Sequence, residues 1–168
     1  DRLQWIPSVS FGVPVSRAQN SMTFQGSASG AMKMVFNPDY LFSKKFALDF
    51  AISGTRSFHR FETGNSGFPN TKTSSTQTMN VGWNFTDSIA VSLQVNHYNL
   101  WNYAGGMDES YNHIEEIGYS LGDSWSFALG HQYGNPSVSI WKADRQTANY
   151  NATDDDNSLA YGTITYSF

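Results

Sequence analysis

The stretch Phe85-Thr86-Asp87-Ser88-Ile89-Ala90-Val91-Ser92-Leu93-Gln94-Val95-Asn96 decides the fold. From Ile89 to Val95 an apolar residue occupies every second position, and small or polar residues lie between them. Successive side chains of a β-strand point to opposite faces, so this period of two predicts a strand with one apolar and one polar face. The polar tripeptide before Ile89 predicts a short turn that leads back to the preceding strand.

The same period of two recurs along the whole chain, in segments rich in Val, Ile, Thr and aromatic residues, which favour strands. The alternation from Phe46 to Ile52 and from Trp125 to Leu129 gives further examples. We therefore predict an all-β chain of antiparallel strands in up-and-down order, forming one domain over residues 1–168. The eight predicted strands cover residues 5–15, 29–42, 46–57, 74–85, 89–101, 111–121, 125–134 and 158–168.

The predicted connections alternate between short and long. Each of three short turns places three small or polar residues between two apolar ones, and partners across a ladder share a face. We therefore predict that Phe42 pairs with Phe46, Phe85 with Ile89, and Leu121 with Trp125. The long polar connections cover residues 16–28, 58–73, 102–110 and 135–157, so both termini are expected at the short-turn end.

Composition narrows the function classes. Hydrophobic residues make up 39% of the 168 residues, and none of the runs approaches the roughly 18 apolar residues of a membrane helix. The absence of cysteine excludes a disulfide scaffold, a thiolate metal site and a cysteine nucleophile. A net charge of −4 gives no broad basic footprint, so we predict no nucleic-acid partner. Charged residues are only 14% of the chain, whereas aromatic residues reach 15%.

The alternation fits either a soluble sandwich or a membrane barrel with a polar interior, and the polar positions favour the barrel. A water-facing sheet surface would carry many Lys and Glu, but these positions hold mostly Ser, Thr, Asn, Gln, Gly and Ala. Aromatic residues also fall into two groups, as in the interfacial girdles of such barrels. The group near the short turns contains Tyr40, Phe42, Phe46, Trp83, Phe85, Trp125, Tyr166 and Phe168, and the other contains Tyr98, Trp101, Tyr103, Tyr111 and Tyr133.

The final segment, Tyr161-Gly162-Thr163-Ile164-Thr165-Tyr166-Ser167-Phe168, resembles the terminal strand that the barrel-assembly machinery recognises. Over its whole length the chain resembles the small eight-stranded bacterial outer-membrane β-barrels, the class that includes the OmpA transmembrane domain, OmpX and OmpW. The resemblance implies a transmembrane barrel in the outer membrane of a Gram-negative cell envelope, with both termini periplasmic. It also implies contact with outer-membrane lipid and lipopolysaccharide, and recognition by the assembly machinery through the strand ending at Phe168.

The strand parity predicts which side chains line the lumen of such a barrel: Lys33, Asp49, Asn80, Gln94, Glu116, Gln132 and Tyr161. Basic residues in the half of the chain near the long loops would lie at the level of lipopolysaccharide phosphates, to which Arg forms charge-assisted hydrogen bonds. These candidate contacts are Arg56, Arg60, Lys72, Lys142 and Arg145.

The strand histidines His97, His113 and His131 have the outward parity, and the turn at 121–125 places Glu115 opposite His131. Imidazole and carboxylate are ligands of Zn²⁺, so this group is a weak metal candidate, although we predict neither a resident metal nor a cofactor. The alternative interpretation is a set of polar rings at the membrane interface.

The resemblance also brings in lipid A deacylases of this barrel class, which use an outward His and Ser two positions apart. Here Asn99 occupies the position of the nucleophile, and a base cannot activate an amide. This departure counts against deacylase activity, and no catalytic residue is assigned.

The dipeptide Glu115-Glu116 is an exception to the pattern, because a regular strand would point one of the two carboxylates at lipid. Two interpretations stay open. A β-bulge near 113–116 would turn both carboxylates inward or upward, giving a lumenal pair with Lys33 or Asp49. Alternatively, the strand has already risen above the lipid at this height.

The sequence therefore predicts a non-enzymatic, porin-like barrel with a small-residue polar lumen. It would act as a narrow passage that transports small solutes, or as a membrane-anchored structural or interaction protein. Two alternatives remain. One is a deacylase-like enzyme that modifies outer-membrane lipid, and the other is an adhesin that acts through the loops 58–73 and 135–157.

Overall fold

The structure, a computed structural model, describes residues 1–14, 24–64, 67–122, 124–135 and 158–167. These residues form an all-β architecture of eight antiparallel strands in one sheet, which confirms the predicted fold class. No helix in the described part of the chain is long and apolar enough to cross a membrane. The strands are β1 (Leu3–Gly12), β2 (Phe24–Phe36), β3 (Phe46–His59), β4 (Thr71–Asn84), β5 (Ile89–Asn102), β6 (Met107–Leu121), β7 (Trp125–Asn135) and β8 (Ser158–Tyr166).

The sheet has up-and-down topology, because every strand pairs with the strands that precede and follow it in the chain. Seven ladders join β1 through β8 in sequence order. Within the described ranges no ladder links β1 directly with β8. Closure of the sheet into a barrel therefore stays a prediction.

Two of the three predicted short turns have the predicted register. Leu121 pairs with Trp125 as the last pair of the β6–β7 ladder. The β4–β5 ladder ends with Asn84 opposite Ala90, which brings Phe85 and Ile89 across from each other at the turn. Both turns keep the apolar side chains on one face, as the alternation requires.

The third predicted turn is wrong, because β2 ends at Phe36 rather than at residue 42. Pro38 has no N–H to donate to a ladder, and the chain instead forms a short 3₁₀ helix at Pro38–Tyr40. The side chain of Asn37 caps this helix by accepting a hydrogen bond from the Asp39 N–H at 3.0 Å. Phe42 and Phe46 are therefore not ladder partners, although their ring centroids lie 4.6 Å apart.

Several strands extend farther toward the long loops than the alternation predicts. β2 begins at Phe24, β4 at Thr71 and β6 at Met107, in segments predicted as connections. Apart from Phe24, Ala28 and Met107, these strand ends carry glycine and polar or charged residues, so no hydrophobic period marks them. Register shifts interrupt two of these ends, between Phe24 and Gly26 and between Thr71 and Thr73.

The ladder register divides the sheet into two faces of opposite character. The polar face carries Lys33, Asp49 and their cross-strand neighbours, together with a few apolar residues such as Ile114. The apolar face carries Phe50, Met79 and their neighbours, which continue along every strand.

The backbone conformation of Gly134, at the end of β7, provides a test of the register between β6 and β7. Its φ is +75°, in the left-handed region that favours glycine, and an added Cβ would collide with the carbonyl oxygen of Tyr111 on the paired strand. We expect Gly134→Ala to destabilise the folded protein by about 1–3 kcal/mol, since neither backbone can move without breaking the ladder. The measurement is the urea unfolding midpoint of the protein refolded in detergent micelles.

Gly30 in β2 provides the matched control. No atom lies within 4 Å of the position that its Cβ would occupy. Gly30→Ala should therefore leave stability unchanged or raise it slightly. Equal midpoints for the two variants would contradict the β6–β7 register.

Candidate functional site

All seven residues predicted to line a lumen lie on the polar face. Cross-strand pairs establish this for neighbouring strands, for example Asp49 with Asn80 and Asn80 with Gln94. Glu116 faces Gly130, which in turn faces Tyr161. The structure therefore brings to one face the full set Lys33, Asp49, Asn80, Gln94, Glu116, Gln132 and Tyr161.

An ion pair with one hydrogen-bonded amide lies on the polar face of β2, β3 and β4. Lys33 Nζ is 3.4 Å from Asp49 Oδ2, and the Asn80 side-chain amide donates to Asp49 Oδ1 at 2.7 Å. Both oxygens of the carboxylate therefore have partners. An enclosed carboxylate needs such partners, because an unpaired charge away from water is costly.

A second contact on the polar face spans three strands. Tyr161 of β8 reaches over β7 and donates its hydroxyl hydrogen bond to Glu116 Oε2 on β6, at 3.0 Å. The residue beneath the Tyr161 ring is Gly130, where any Cβ would collide with that ring. The close approach therefore requires glycine at position 130, and the contact draws alternate strands together on the polar side.

Sequence reasoning missed the most buried part of the polar face. Thr78 donates to Asn96 Oδ1 at 2.7 Å, and the Asn96 amide donates to Asn112 Oδ1 at 2.7 Å. Asn96 and Asn112 are only 4% and 5% exposed, and Gln94 also donates to Asn96. Their parity alone would have placed them on this face. Their pairing depends on the β5–β6 register, which the polar connection at 102–110 left undefined.

The candidate lipopolysaccharide contacts separate into two groups. Arg56 and Lys72 both lie against the ring of Tyr103, each with its charged group 5.8 Å from the ring centroid. Arg56 also donates to Thr73 Oγ1 at 3.2 Å. Arg60 lies apart from this pair, over the ring of Phe61. Lys142 and Arg145 lie outside the described residues, as does Phe168.

His97 lies on the apolar face near the long loops, among polar neighbours of its own. Its Nδ1 is 2.8 Å from Gln77 Oε1, and its Nε2 is 3.6 Å from Glu109 Oε1. Asn99, two positions along β5, donates to the same Gln77 oxygen at 3.3 Å. The position of a deacylase nucleophile is thus held by an amide that is itself hydrogen-bonded.

The other two strand histidines form a separate cluster with Glu115. His113 Nε2 is 3.2 Å from Glu115 Oε1, and His131 Nδ1 is 3.2 Å from Glu115 Oε2. The predicted pairing of Glu115 with His131 is confirmed by the β6–β7 ladder. The four candidate metal ligands are therefore divided, because His97 directs its nitrogens to Gln77 and Glu109.

Of the two interpretations left open for Glu115-Glu116, the structure contradicts the β-bulge near 113–116. Both ladders of β6 run through these residues without a register shift, so Glu115 and Glu116 point to opposite faces. Glu116 accepts the Tyr161 hydroxyl on the polar face, whereas Glu115 lies between two imidazoles on the apolar face. A lumenal pair of carboxylates is therefore excluded.

The Tyr161–Glu116 hydrogen bond gives a measurable coupling. We expect Tyr161→Phe to lower stability by about 1–3 kcal/mol, because the bond has a charged acceptor and its loss leaves the carboxylate oxygen without that partner. In a double-mutant cycle with Glu116→Ala, the two effects should be non-additive by about 1–2 kcal/mol. Urea unfolding in micelles supplies the four free energies.

Tyr119→Phe provides a control for the loss of a phenol hydroxyl on the apolar face, where Tyr119 is exposed. It should show no coupling with Glu116→Ala. Additive effects of Tyr161→Phe and Glu116→Ala would contradict the contact across β7.

No family model matches this sequence, and no curated protein matches it.

Proposed function

We propose that this chain is a bacterial outer-membrane β-barrel that encloses its polar face as a narrow lumen and turns its apolar face to lipid. The observation that carries the proposal is the difference between the two faces, one mainly polar with few apolar residues and one mainly apolar, along all eight strands. Closure of β1 onto β8 is part of the proposal. The Tyr161–Glu116 contact supports it, because a side chain that bridges alternate strands favours curvature toward the polar side.

The apolar face has no protein partner in the described part of the chain. Leu129 is 68% exposed, Ile164 68% and Phe11 77%, and the only buried hydrophobic residue among those described is Tyr133. A water-soluble domain buries such side chains, and a continuous exposed apolar surface marks a site of interaction or a membrane. Lipid is the environment that supplies the missing contacts on all strands at once.

The apolar segment of β5 has a limited height. On β5 it runs from Ile89 to Val95 and ends at His97, which is a length of about 20 Å along the strand at ~3.3 Å per residue. Because the strands of outer-membrane barrels are tilted by about 35–45°, this segment would span roughly 15 Å of an apolar band that is about 25 Å tall in such barrels. Polar side chains replace apolar ones on this face above that height, as expected where headgroups begin.

Aromatic contacts mark both edges of the band. Near the short turns, Trp83 packs against Phe42 and Phe46, and Trp125 packs against Tyr166. Near the long loops, the apolar face carries Trp101, Tyr111 and Tyr133. The register moves one predicted member, Tyr98, to the polar face, because it pairs with Thr76 and Ser110. The other aromatic residues form a belt at each edge of the band, which supports anchoring at the two membrane interfaces.

Orientation and partners follow from the same proposal. The short-turn end with both termini would face the periplasm, and the terminal strand would be read by the barrel-assembly machinery. Arg56 and Lys72 beside Tyr103 would lie at the height of lipopolysaccharide phosphates, where Arg forms strong hydrogen bonds to phosphate oxygens. This basic pair is the described part of the chain that best fits such a contact.

A charge on the apolar face distinguishes lipid from water as its surroundings. We expect Leu129→Arg to cost about 2–4 kcal/mol of folding free energy in lipid vesicles, because it places a guanidinium in the apolar band. Phe68→Arg is the matched control, since Phe68 is 75% exposed but lies in the connection between β3 and β4. Its folding free energy should not change.

The measurement is urea-dependent folding into vesicles, monitored by the gel shift between unboiled and boiled protein. Equal tolerance of the two arginines, or the absence of any gel shift in the wild type, would contradict a membrane barrel.

Within this architecture, we propose that the lumen acts as a narrow passage for small solutes. The polar face carries small side chains at many levels, among them Ala47, Ala51, Ser53, Gly82, Ala90, Gly118 and Ala128. Its most buried part is an uncharged chain of Thr78, Asn96 and Asn112 hydrogen bonds. Uncharged donors and acceptors can replace the hydration of small solutes, including ions of either sign.

Conductance tests the passage separately from the fold. In planar bilayers we expect discrete channel steps for the wild type and a several-fold smaller step for Ala51→Phe, because the added ring would enter the lumen beside Lys33 and Thr78. Ile52→Phe is the matched control, since the next side chain along β3 points to the apolar face.

Silence of a correctly inserted wild-type protein would overturn the passage and favour a membrane-anchored interaction protein or adhesin. Altered lipid A masses on expression, abolished by His97→Ala, would instead favour the lipid-modifying enzyme.

A further inference from the structure

Three potential metal ligands converge on the apolar face, at the ends of β6 and β7 near the long loops. His113 and Glu115 are two positions apart on β6 and therefore point to the same side of the sheet. His131 on β7 is the direct partner of Glu115 across the ladder. The backbone register alone thus fixes the relative positions of all three side chains.

The ligand atoms of these residues are close enough to share one ion. One nitrogen from each imidazole and one carboxylate oxygen all lie within 4.8 Å of one another. Around a tetrahedral Zn²⁺ with bonds of about 2.0–2.1 Å, such atoms are separated by about 3.3 Å. The two His–Glu separations are 3.2 Å but involve different oxygens of the carboxylate, so the side chains must rotate to bring both nitrogens and one oxygen around a single ion.

The cluster is held in place by its neighbours. His113 is only 3% exposed, and its ring stacks on Tyr133 with centroids 5.5 Å apart. Its Nδ1 lies 2.9 Å from the Tyr111 hydroxyl, while its Nε2 points to Glu115. The hydrogen bond at Nδ1 holds the ring so that its other nitrogen, Nε2, faces Glu115. A hydrogen bond at the nitrogen that does not bind the metal is the outer-shell support typical of metal-binding histidines.

Access and charge also favour a cation. The Glu115 side chain is 55% exposed and that of His131 is 33% exposed, so an ion can enter from outside the sheet. Glu115 carries a carboxylate on the apolar face, next to the Ile117–Leu129 pair on the side of the short turns. A divalent ion bound beside it would compensate that charge.

We propose that His113 Nε2, His131 Nδ1 and a carboxylate oxygen of Glu115 bind one Zn²⁺ ion on the outside of the sheet. Two imidazoles and one carboxylate select a transition metal of borderline character over Mg²⁺ or Ca²⁺, which prefer oxygen ligands. Three protein ligands leave a fourth coordination position open. The site is separate from the polar face and does not depend on a passage through it.

Isothermal titration of Zn²⁺ into tag-free protein, folded in detergent and stripped with a chelator, tests the proposal. We expect one ion per chain, and no saturable binding of Mg²⁺. His131→Gln and Glu115→Gln should each weaken Zn²⁺ binding at least about tenfold, and Tyr111→Phe should weaken it about tenfold while keeping the stoichiometry.

His97→Gln is the matched control, because His97 also lies on the apolar face beside a glutamate, Glu109. It should leave the Zn²⁺ affinity unchanged. The gel shift between unboiled and boiled protein shows that each variant is folded before titration. Substitution of Co²⁺ gives a second measurement, since a tetrahedral site produces strong visible absorption that His131→Gln should remove.

The absence of saturable Zn²⁺ binding by folded wild-type protein would overturn the proposal. Binding that survives both His131→Gln and Glu115→Gln, or that is lost in His97→Gln, would also overturn it.

Discussion

The structure depends on an antiparallel register that continues without a slip through the middle of all eight strands. A shift of one residue in any ladder would exchange the polar and apolar faces of every later strand. Within the described ranges, register shifts occur only near Phe24 and near Thr71, at the ends of strands. A single ladder pair lies beyond each shift, so the irregularities exchange the faces of very few side chains.

The register could be predicted from the sequence where apolar residues flank a tight turn. The prediction was wrong where proline and aromatic packing determine the conformation of the connection. The turns at 85–89 and 121–125 could be predicted because their flanking apolar residues must share a face. The same rule failed between Phe36 and Phe46. Proline ended the strand there, and the aromatic rings met by packing rather than by pairing. The polar strand extensions at Phe24, Thr71 and Met107 carry no hydrophobic signal and could not be found from periodicity.

For the candidate sites, the odd or even position of a residue along its strand predicted which face of the sheet it occupies. It did not predict which side chains it contacts. It placed Asp49 with Asn80 and Tyr161 with Glu116 on one face, and the structure shows both pairs in contact. The Asn96–Asn112 hydrogen bond could not be predicted, because it depends on the register between β5 and β6, and a long polar connection joins these two strands. Glu115 and His131 could be paired in advance only because a short turn joins their strands.

The dipeptide Glu115-Glu116 shows how one register serves two environments. Adjacent residues must point to opposite faces, so the chain has to satisfy one carboxylate on each side of the sheet. On the polar side the solution is a tyrosine hydroxyl, brought within reach by the missing side chain of Gly130. On the apolar side two histidines enclose the carboxylate at the height where aromatic and polar side chains replace aliphatic ones. Under the proposed function that height is the upper lipid boundary. A charge is sustainable there with imidazole partners, whereas one pair lower, at Ile117 and Leu129, the face is wholly apolar.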